Sequence, residues 1–149
     1  MEPQPNRPAS AERPPVAYYV LGTGRFGAAI AHHLEAAGHA VRLIDEAQGP
    51  DDRSGFRADP EDVAALGAAG VADASTVIVA TDEDSRNMLI AQKVRTHFDV
   101  PRVLVLVHDP DRCDLFEDIA HEPICVSTTL SNALVDQVSS TPTRPEATE

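Results

Sequence analysis

The sequence is poor in residues that mark several common classes of protein. It has no tryptophan, two cysteines and one lysine, and no apolar run approaches the ~18 residues of a membrane helix. The N-terminus lacks the charged-then-apolar order of a secretory signal. Cys113 and Cys125 form neither a CxxC pair nor a metal-ligand spacing, which predicts two inert thiols in a reducing compartment. These absences favour a soluble, intracellular protein with no direct membrane insertion.

Positive charge is also scarce. The formal net charge is −12, and residues 16–139 hold 20 acids against 9 lysines and arginines. A phosphate backbone would be repelled by this balance, which argues against a nucleic-acid partner. Two explanations of the acidity stay open: simple solubility, or adaptation to high salt in the cytoplasm, for which a lysine-poor acidic surface is expected.

The composition changes at both ends of the chain. Residues 1–15 carry five of the twelve prolines and almost nothing apolar, and residues 140–149 are similarly polar. Such segments cannot bury enough apolar surface to offset the entropy of ordering, so we predict two disordered tails. The remaining residues, 16–139, suffice for one compact domain and leave no room for a second, substrate-carrying one.

Short apolar runs alternate with helical periods through residues 16–139. Continuous apolar strands separated by helices are typical of a parallel sheet covered on both faces. We therefore predict an α/β fold, a Rossmann-like doubly wound parallel sheet of about six strands in the order 3-2-1-4-5-6. The predicted strands are 16–21, 40–45, 56–57, 76–80, 101–107 and 123–127, and the predicted helices are 25–37, one that starts with Asp59 as N-cap and Pro60 at its first position, 84–97, 109–120 and 129–138.

A glycine turn follows the first predicted strand. Gly22, Gly24 and Gly27 fit G-x-G-x-x-G between a strand and a helix, where they allow a tight turn, close approach of a pyrophosphate and close helix packing. Asp45 ends the second strand, where a carboxylate can accept hydrogen bonds from a ribose diol and disfavours the 2′-phosphate of NADP. Together these residues predict a nucleotide site.

Arg25 lies inside this turn. A cation in the first turn of a helix opposes the helix dipole, which makes it locally unfavourable. Its presence is explained if phosphates approach, because a guanidinium binds them bidentately. A solvated surface arginine is the alternative.

Catalytic motifs are not evident. The sequence has no G-x-S-x-G or H-E-x-x-H, and His108, which ends the fifth strand, is interpreted as a loop histidine. Asp82, Glu83 and Asp84 could line the rim of the nucleotide site or bind a cation, and they serve equally well as caps and dipole-matched acids of the following helix. We interpret them as caps, with Thr81 and Asp82 as contacts at the rim.

Beyond these patterns, five segments resemble the nucleotide-binding domain of the RCK family of potassium channel and transporter regulators, also called KTN or TrkA-N. The resemblance covers nearly all of residues 17–138. The segments are GTGRFG (22–27), AGVADA (69–74), ATDEDSRN (80–87), VHDP (107–110) and LFE (115–117).

The resemblance implies a set of nucleotide-binding residues. One turn departs from the family pattern: GFRADP (55–60) stands where G-D-A-T-D-P is usual, so that a phenylalanine replaces an aspartate that helps to hold adenine. Phe56 could stack on the base instead, and Arg57 could add a contact or face solvent. The implied set is Gly22, Thr23, Gly24, Arg25, Phe26, Gly27, Asp45, Glu46, Phe56, Arg57, Ala58, Ala80, Thr81, Asp82 and Asn87.

By resemblance, the chain is expected to be a cytoplasmic regulatory domain that binds NAD(H) or ADP/ATP and controls a membrane potassium transporter or channel. The C-terminal ligand-binding subdomain of many family members is expected to be absent. A homodimer is expected through the last helix, where Leu130, Leu134 and Val138 form an apolar stripe, although the stripe could instead pack on its own sheet. A small NAD-dependent oxidoreductase and a nucleotide-stabilised scaffold for another enzyme are the alternative functions.

Overall fold

The computed structural model describes residues 17–47, 55–117 and 122–140. Both predicted tails fall outside these ranges, apart from Ser140. In chain order the elements are β1 (Tyr18–Leu21), α1 (Gly27–Ala36), β2 (Val41–Asp45), β3 (Gly55–Arg57), α2 (Val63–Ala68), a 3-10 turn (Val71–Asp73), β4 (Thr76–Val79), α3 (Asp84–His97), β5 (Arg102–Val107), a 3-10 helix (Pro110–Phe116), β6 (Glu122–Cys125) and α4 (Val126–Ser140).

The six strands form one sheet with the order β3-β2-β1-β4-β5-β6. Every neighbouring pair is parallel, and β1 pairs with both β2 and β4. The predicted fold class and strand order are confirmed. The chain reverses its direction of travel across the sheet at β1 and β4, so a crevice opens at their carboxyl ends.

Two apolar clusters cover the two faces of the sheet. The larger one includes Leu21, Ile44 and Phe116, and the smaller one includes Val20 and Leu43. Successive strand residues belong to opposite clusters because side chains alternate between the faces of a sheet. This double burial explains why the strands read as continuous apolar runs.

The Ala69-Gly70 pair of the family segment has a packing role. Gly70 adopts φ +96°, and a Cβ on it would lie 2.7 Å from the hydroxyl oxygen of Tyr19. That hydroxyl donates a hydrogen bond of 2.7 Å to the carbonyl oxygen of Ala69. Burial raises the pKa of Tyr19, with the nearby Arg42 opposing and Asp73 adding to the shift. A close approach of backbone to β1 therefore requires glycine here.

The start of α2 differs from the prediction. The N-cap is Asp62, whose side chain accepts from the backbone N–H of Ala65, and the helix begins at Val63. Asp59 instead accepts from the N–H of Glu61 within a turn that precedes the helix. Asp59 and Asp62 are three residues apart and either could be the N-cap of α2; in the structure it is Asp62.

The segment after β5 also differs. Residues 110–116 form a 3-10 helix in place of the α-helix predicted over 109–120, whose last residues, 118–120, lie outside the described ranges. This helix carries Cys113 towards β6, where the structure pairs it with Cys125 in a disulfide with a Cα–Cα distance of 6.0 Å. The prediction of two separate inert thiols is therefore wrong, because the fold brings together two cysteines that are 12 positions apart.

The last helix, α4, follows β6 directly. It is longer than predicted, and its apolar stripe is exposed: Leu130 by 58%, Leu134 by 56% and Val138 by 74%. The stripe therefore does not pack on its own sheet. Across the ranges that the structure describes, no helix combines the length and apolar content needed to cross a bilayer.

Replacing Phe116 with alanine should lower the free energy of unfolding by about 3–5 kcal/mol, because the ring is fully buried and the substitution leaves a cavity. Urea unfolding followed by circular dichroism measures the change. The neighbouring Leu115, 59% exposed, is the matched control, and its alanine variant should differ from the parent by no more than about 0.5 kcal/mol. Equal losses in both variants would contradict the assigned burial.

Candidate nucleotide-binding site

A cavity of about 310 Å³ lies at the carboxyl ends of the central strands, and we call it the crevice. It collects residues from the β1–α1 turn, the end of β2 and the β4–α3 turn. Its lining consists of Gly22, Thr23, Gly24, Asp45, Thr81, Asp82, Glu83 and Arg86.

The glycine turn packs closely against the end of β4. A Cβ on Gly22 would lie 2.5 Å from the Thr81 side chain, and a Cβ on Gly24 would lie 2.9 Å from the carbonyl oxygen of Ala80. Both glycines have positive φ, +94° and +44°. The turn thus depends on glycine for its conformation and for its contact with the neighbouring strand.

The helix after this turn begins two residues later than predicted. Residues 24–26 form a turn, and the first helical residue is Gly27, whose N–H donates to the carbonyl oxygen of Thr23 at 2.5 Å. Phe26 precedes the helix without a side-chain cap. The backbone N–H groups around residues 24–26 therefore lie at the positive end of α1, where anions bind in this fold class.

Asp45 is nearly buried at the end of β2, with 8% of its surface exposed. Its Oδ2 accepts a hydrogen bond of 2.7 Å from the hydroxyl of Thr23, which joins the strand end to the glycine turn. Its backbone carbonyl accepts from the N–H of Ala58, 3.1 Å away. The carboxylate is thus held in a fixed position at the wall of the crevice.

Asn87 is fully buried below the crevice. Its Oδ1 accepts from the backbone N–H of Thr81 at 3.0 Å and from the hydroxyl of the same residue. Its Nδ2 donates to the carbonyl oxygens of Thr81 and Leu106. Asn87 therefore fixes the β4–α3 turn to β5. Because it is fully buried, it acts on the crevice through Thr81.

The three acids that follow Thr81 have separate roles. Glu83 occupies the N-cap position of α3 but its side chain makes no capping hydrogen bond. Asp84 accepts from the backbone N–H groups of His108 and Asp109. Asp82 accepts from the N–H of Arg25 at 2.8 Å. The prediction that these carboxylates cap α3 is wrong, because Asp82 and Asp84 bond to other turns. Asp84 nevertheless lies in the first turn of α3, where a carboxylate matches the helix dipole, and Asp82 lines the crevice.

His108 is also held structurally. One ring nitrogen lies 2.9 Å from the carbonyl oxygen of Thr81, and the ring stacks on Phe26 with centroids 5.9 Å apart. Through these contacts it joins β5 to the β4–α3 turn and to the glycine turn.

Arg86 was not among the predicted site residues. Its guanidinium bonds to Glu61 at 2.7 Å, Glu46 at 3.1 Å and Asp59 at 3.2 Å. Burial alone would lower the pKa of Arg86, but hydrogen bonds to Glu61 and Glu46 outweigh it and the pKa is raised. The sequence does contain a signal for Arg86 as a site residue: it is an arginine in the first turn of a helix that starts at the predicted nucleotide site.

Three predicted residues from the β3 region do not line the crevice. Phe56 packs against the larger core cluster, with the guanidinium carbon of Arg42 at 5.9 Å from its ring centroid. Ala58 packs against the same cluster, and Arg57 is exposed at the end of β3. Six of the other predicted residues line the crevice: Gly22, Thr23, Gly24, Asp45, Thr81 and Asp82. Gly27, Ala80 and Asn87 pack behind them, and Arg25 is exposed beside Gly24. Phe26 lines a separate apolar cavity between α1 and α4, and Glu46 pairs with Arg86.

The parallel sheet and the glycine turn at its switch point define a Rossmann-like domain. The profile of the TrkA-N domain matches residues 18–126, and the chain belongs to this family. The predicted family resemblance is thereby confirmed.

Several known proteins are similar to this chain. The Trk system potassium uptake protein TrkA of Mycobacterium tuberculosis is 30% identical over 118 residues, which cover 73% of this chain and 52% of TrkA. The chain spans about half the length of the curated relatives it matches.

Solved structures share the fold. The NAD(P)-binding domain of an exopolyphosphatase-related protein from Archaeoglobus fulgidus has a TM-score of 0.76 at 23% identity, over 85% of this chain and all of that domain. GsuK bound to ADP has a TM-score of 0.69 at 25% identity, over 80% of this chain and 33% of GsuK. The GsuK channel bound to NAD has a TM-score of 0.68 at 24% identity, over 84% of this chain and 23% of the channel chain.

Replacing Asn87 with alanine should lower the free energy of unfolding by at least about 2 kcal/mol, because each buried polar group left unpaired costs about 1–3 kcal/mol. Chemical unfolding measures the loss. Ser85, exposed on the same helix, is the control, and its alanine variant should unfold like the parent. An Asn87→Ala variant as stable as the parent would contradict the role of Asn87 in fixing the turn.

Proposed function

We propose that this chain is a cytoplasmic nucleotide-sensing regulatory domain that controls a membrane potassium transporter or channel. The observation that carries the proposal is a TrkA-N domain whose glycine turn and strand-end acid, Asp45, face one crevice. The TrkA relatives are potassium uptake proteins, and GsuK is a channel with NAD-bound and ADP-bound structures.

The proposed ligand is NAD(H) or ADP/ATP. The glycine turn offers backbone N–H groups to phosphate, and the close contacts of Gly22 and Gly24 leave no space for side chains in this cradle. Asp45 would accept from a ribose diol, in competition with its present partner, the hydroxyl of Thr23. The same carboxylate would repel a 2′-phosphate, which disfavours NADP. Arg25, exposed at the edge, would reach phosphate oxygens.

The proposed output is a change of shape. Two nucleotide states must favour two arrangements of the domain by different free energies, and the difference must be passed to another polypeptide. α3 starts at the crevice, carries Arg86 and leads back to the start of β5. This helix and α4 are the elements that we expect to move.

Replacing Asp45 with alanine should weaken binding of NADH and of ADP by a similar factor, about tenfold or more, because each ligand presents a ribose diol to the same carboxylate. Isothermal titration calorimetry measures both affinities. Asp99→Ala, which removes an exposed acid after α3, is the control and should bind like the parent. Unchanged affinity in the Asp45 variant would remove it from the site.

The cellular test is potassium uptake in a deletion strain. Loss of the protein should alter uptake, and the parent chain should restore it while the Asp45→Ala variant should not. Equal rescue by a variant that cannot bind nucleotide would overturn the sensor function. A hydride-transfer assay with the purified protein tests the alternative oxidoreductase function, and identification of a co-purifying enzyme tests the scaffold function.

We further propose that the chain forms a homodimer through α4. The stripe of Leu130, Leu134 and Val138 is exposed, and beside it an apolar cavity of about 540 Å³ opens between α1 and α4. Ile30 and Ile124 are among the side chains that line this cavity. Apolar surface of this extent is stabilised when a second copy covers it.

Replacing Leu134 with glutamate should shift the protein towards monomer, because a charge would be buried at the proposed interface. Light scattering at working salt measures the mass of each protein. Asn132→Glu places the same charge two positions away, on the opposite face of α4, and should leave the dimer intact. A monomeric parent at high concentration would overturn the homodimer.

A further inference from the structure

One acidic side chain already occupies part of the surface that would receive phosphate. Asp82 Oδ1 accepts a hydrogen bond of 2.8 Å from the backbone N–H of Arg25, within the glycine turn. The same oxygen would lie 2.7 Å from a Cβ on Gly24, so it rests directly against the turn. A backbone N–H at this end of α1 is where a phosphate oxygen would bind. The Asp82 carboxylate therefore occupies the position in which a phosphate group of a ligand would bind.

The backbone next to Asp82 is held by buried hydrogen bonds, whereas its exposed carboxylate is held through the Arg25 amide. The preceding residue, Thr81, is bound through its N–H and its carbonyl oxygen to the buried amide of Asn87. The Asp82 side chain is exposed. Its carboxylate is thus held within reach of the turn, while the side chain retains open solvent into which it can rotate when another anion arrives.

The crevice offers little positive charge to offset this carboxylate. Asp45 and Glu83 also line it, and the lining arginine, Arg86, is already bound to Glu46, Asp59 and Glu61. Arg25 is the remaining cation near the turn, and among the described residues its guanidinium has no ion-pair partner. Each added negative charge on a ligand therefore meets repulsion from Asp82 at short range.

We infer that Asp82 is a specificity-determining residue that competes with nucleotide phosphate for the Arg25 amide and selects a dinucleotide over ATP. The inference rests on the proposed nucleotide-binding function. ATP carries about four negative charges at neutral pH and the pyrophosphate of NAD(H) about two, so that the repulsion is about twice as large for ATP. The dinucleotide displaces Asp82 at a lower cost.

The test compares the parent protein with Asp82→Asn. This substitution removes the charge but keeps the shape and an oxygen that can accept from Arg25. Affinities for NADH, ADP and ATP are measured by calorimetry without divalent cations, since a bound cation would neutralise the phosphates. Asp82→Asn should strengthen ATP binding about tenfold and NADH binding about threefold, the scale of one like charge at close range. Thermal unfolding verifies that both proteins are folded.

Glu83→Gln is the comparison variant, because it removes a charge from the same crevice without touching the glycine turn. It should shift the ratio of ATP to NADH affinity by less than half as much as Asp82→Asn. An equal shift would overturn the inference, since a general field rather than the contact with Arg25 would then be responsible. Equal strengthening of ATP and NADH by Asp82→Asn, or weakening of both, would also overturn it.

A second readout does not depend on a ligand. In the nucleotide-free protein, Asp82→Ala should shift the amide resonance of Arg25 in a ¹H–¹⁵N spectrum, because that amide loses its acceptor. An unchanged resonance would overturn the contact on which the inference depends. If the parent binds NADH but the Asp82 variants show no selective gain for ATP, this inference alone fails. If neither the parent nor the variants bind any of the three nucleotides, the proposed function fails with it.

Discussion

The buried amide of Asn87 is the interaction on which the arrangement of the crevice depends. It satisfies both backbone groups of Thr81 and joins them to β5 through the carbonyl of Leu106. Because Thr81 is fixed, the glycine turn has a rigid surface against which Gly22 packs, and Asp82 projects from a defined point. A buried side-chain amide with all its partners in place costs little, whereas the loss of any partner would leave a polar group without water or protein.

Much of the fold could be predicted from the sequence, because apolar periodicity and turn residues act locally. The helix over Asp84–His97 was predicted at its observed bounds, and the strand order followed from the alternation of strands and helices. The start of α2 could not be predicted, because Asp59 and Asp62 are both competent caps and only the packed structure chooses between them. The cysteine pair was missed for a related reason: a separation of 12 residues says nothing about the path of the chain between them.

The candidate site divides in the same way. The glycine turn and Asp45 were predictable because their spacing carries the constraint. The bond between Asp82 and the Arg25 amide joins residues 57 positions apart, and no local pattern contains it. The ion pairs of Arg86 link α3 to the end of β2 and to the turn before α2, which likewise requires the folded arrangement. The sequence did not decide the role of Phe56. Its position against the core follows from the pairing of β3 with β2.

The direct junction between β6 and α4 has a mechanical consequence. With no linker between Cys125 and Val126, the 15-residue helix is a rigid extension of an edge strand, and it is about 22 Å long. A rotation of the edge strand by about 10° would swing the far end of such a lever arm through about 4 Å. β6 is hydrogen-bonded to one neighbouring strand only, and its last residue, Cys125, is joined to Cys113 by the disulfide, so the lever arm turns together with the 3-10 helix. A small rotation at the border of the sheet would thereby be amplified at Ser140, where the described part of the chain ends.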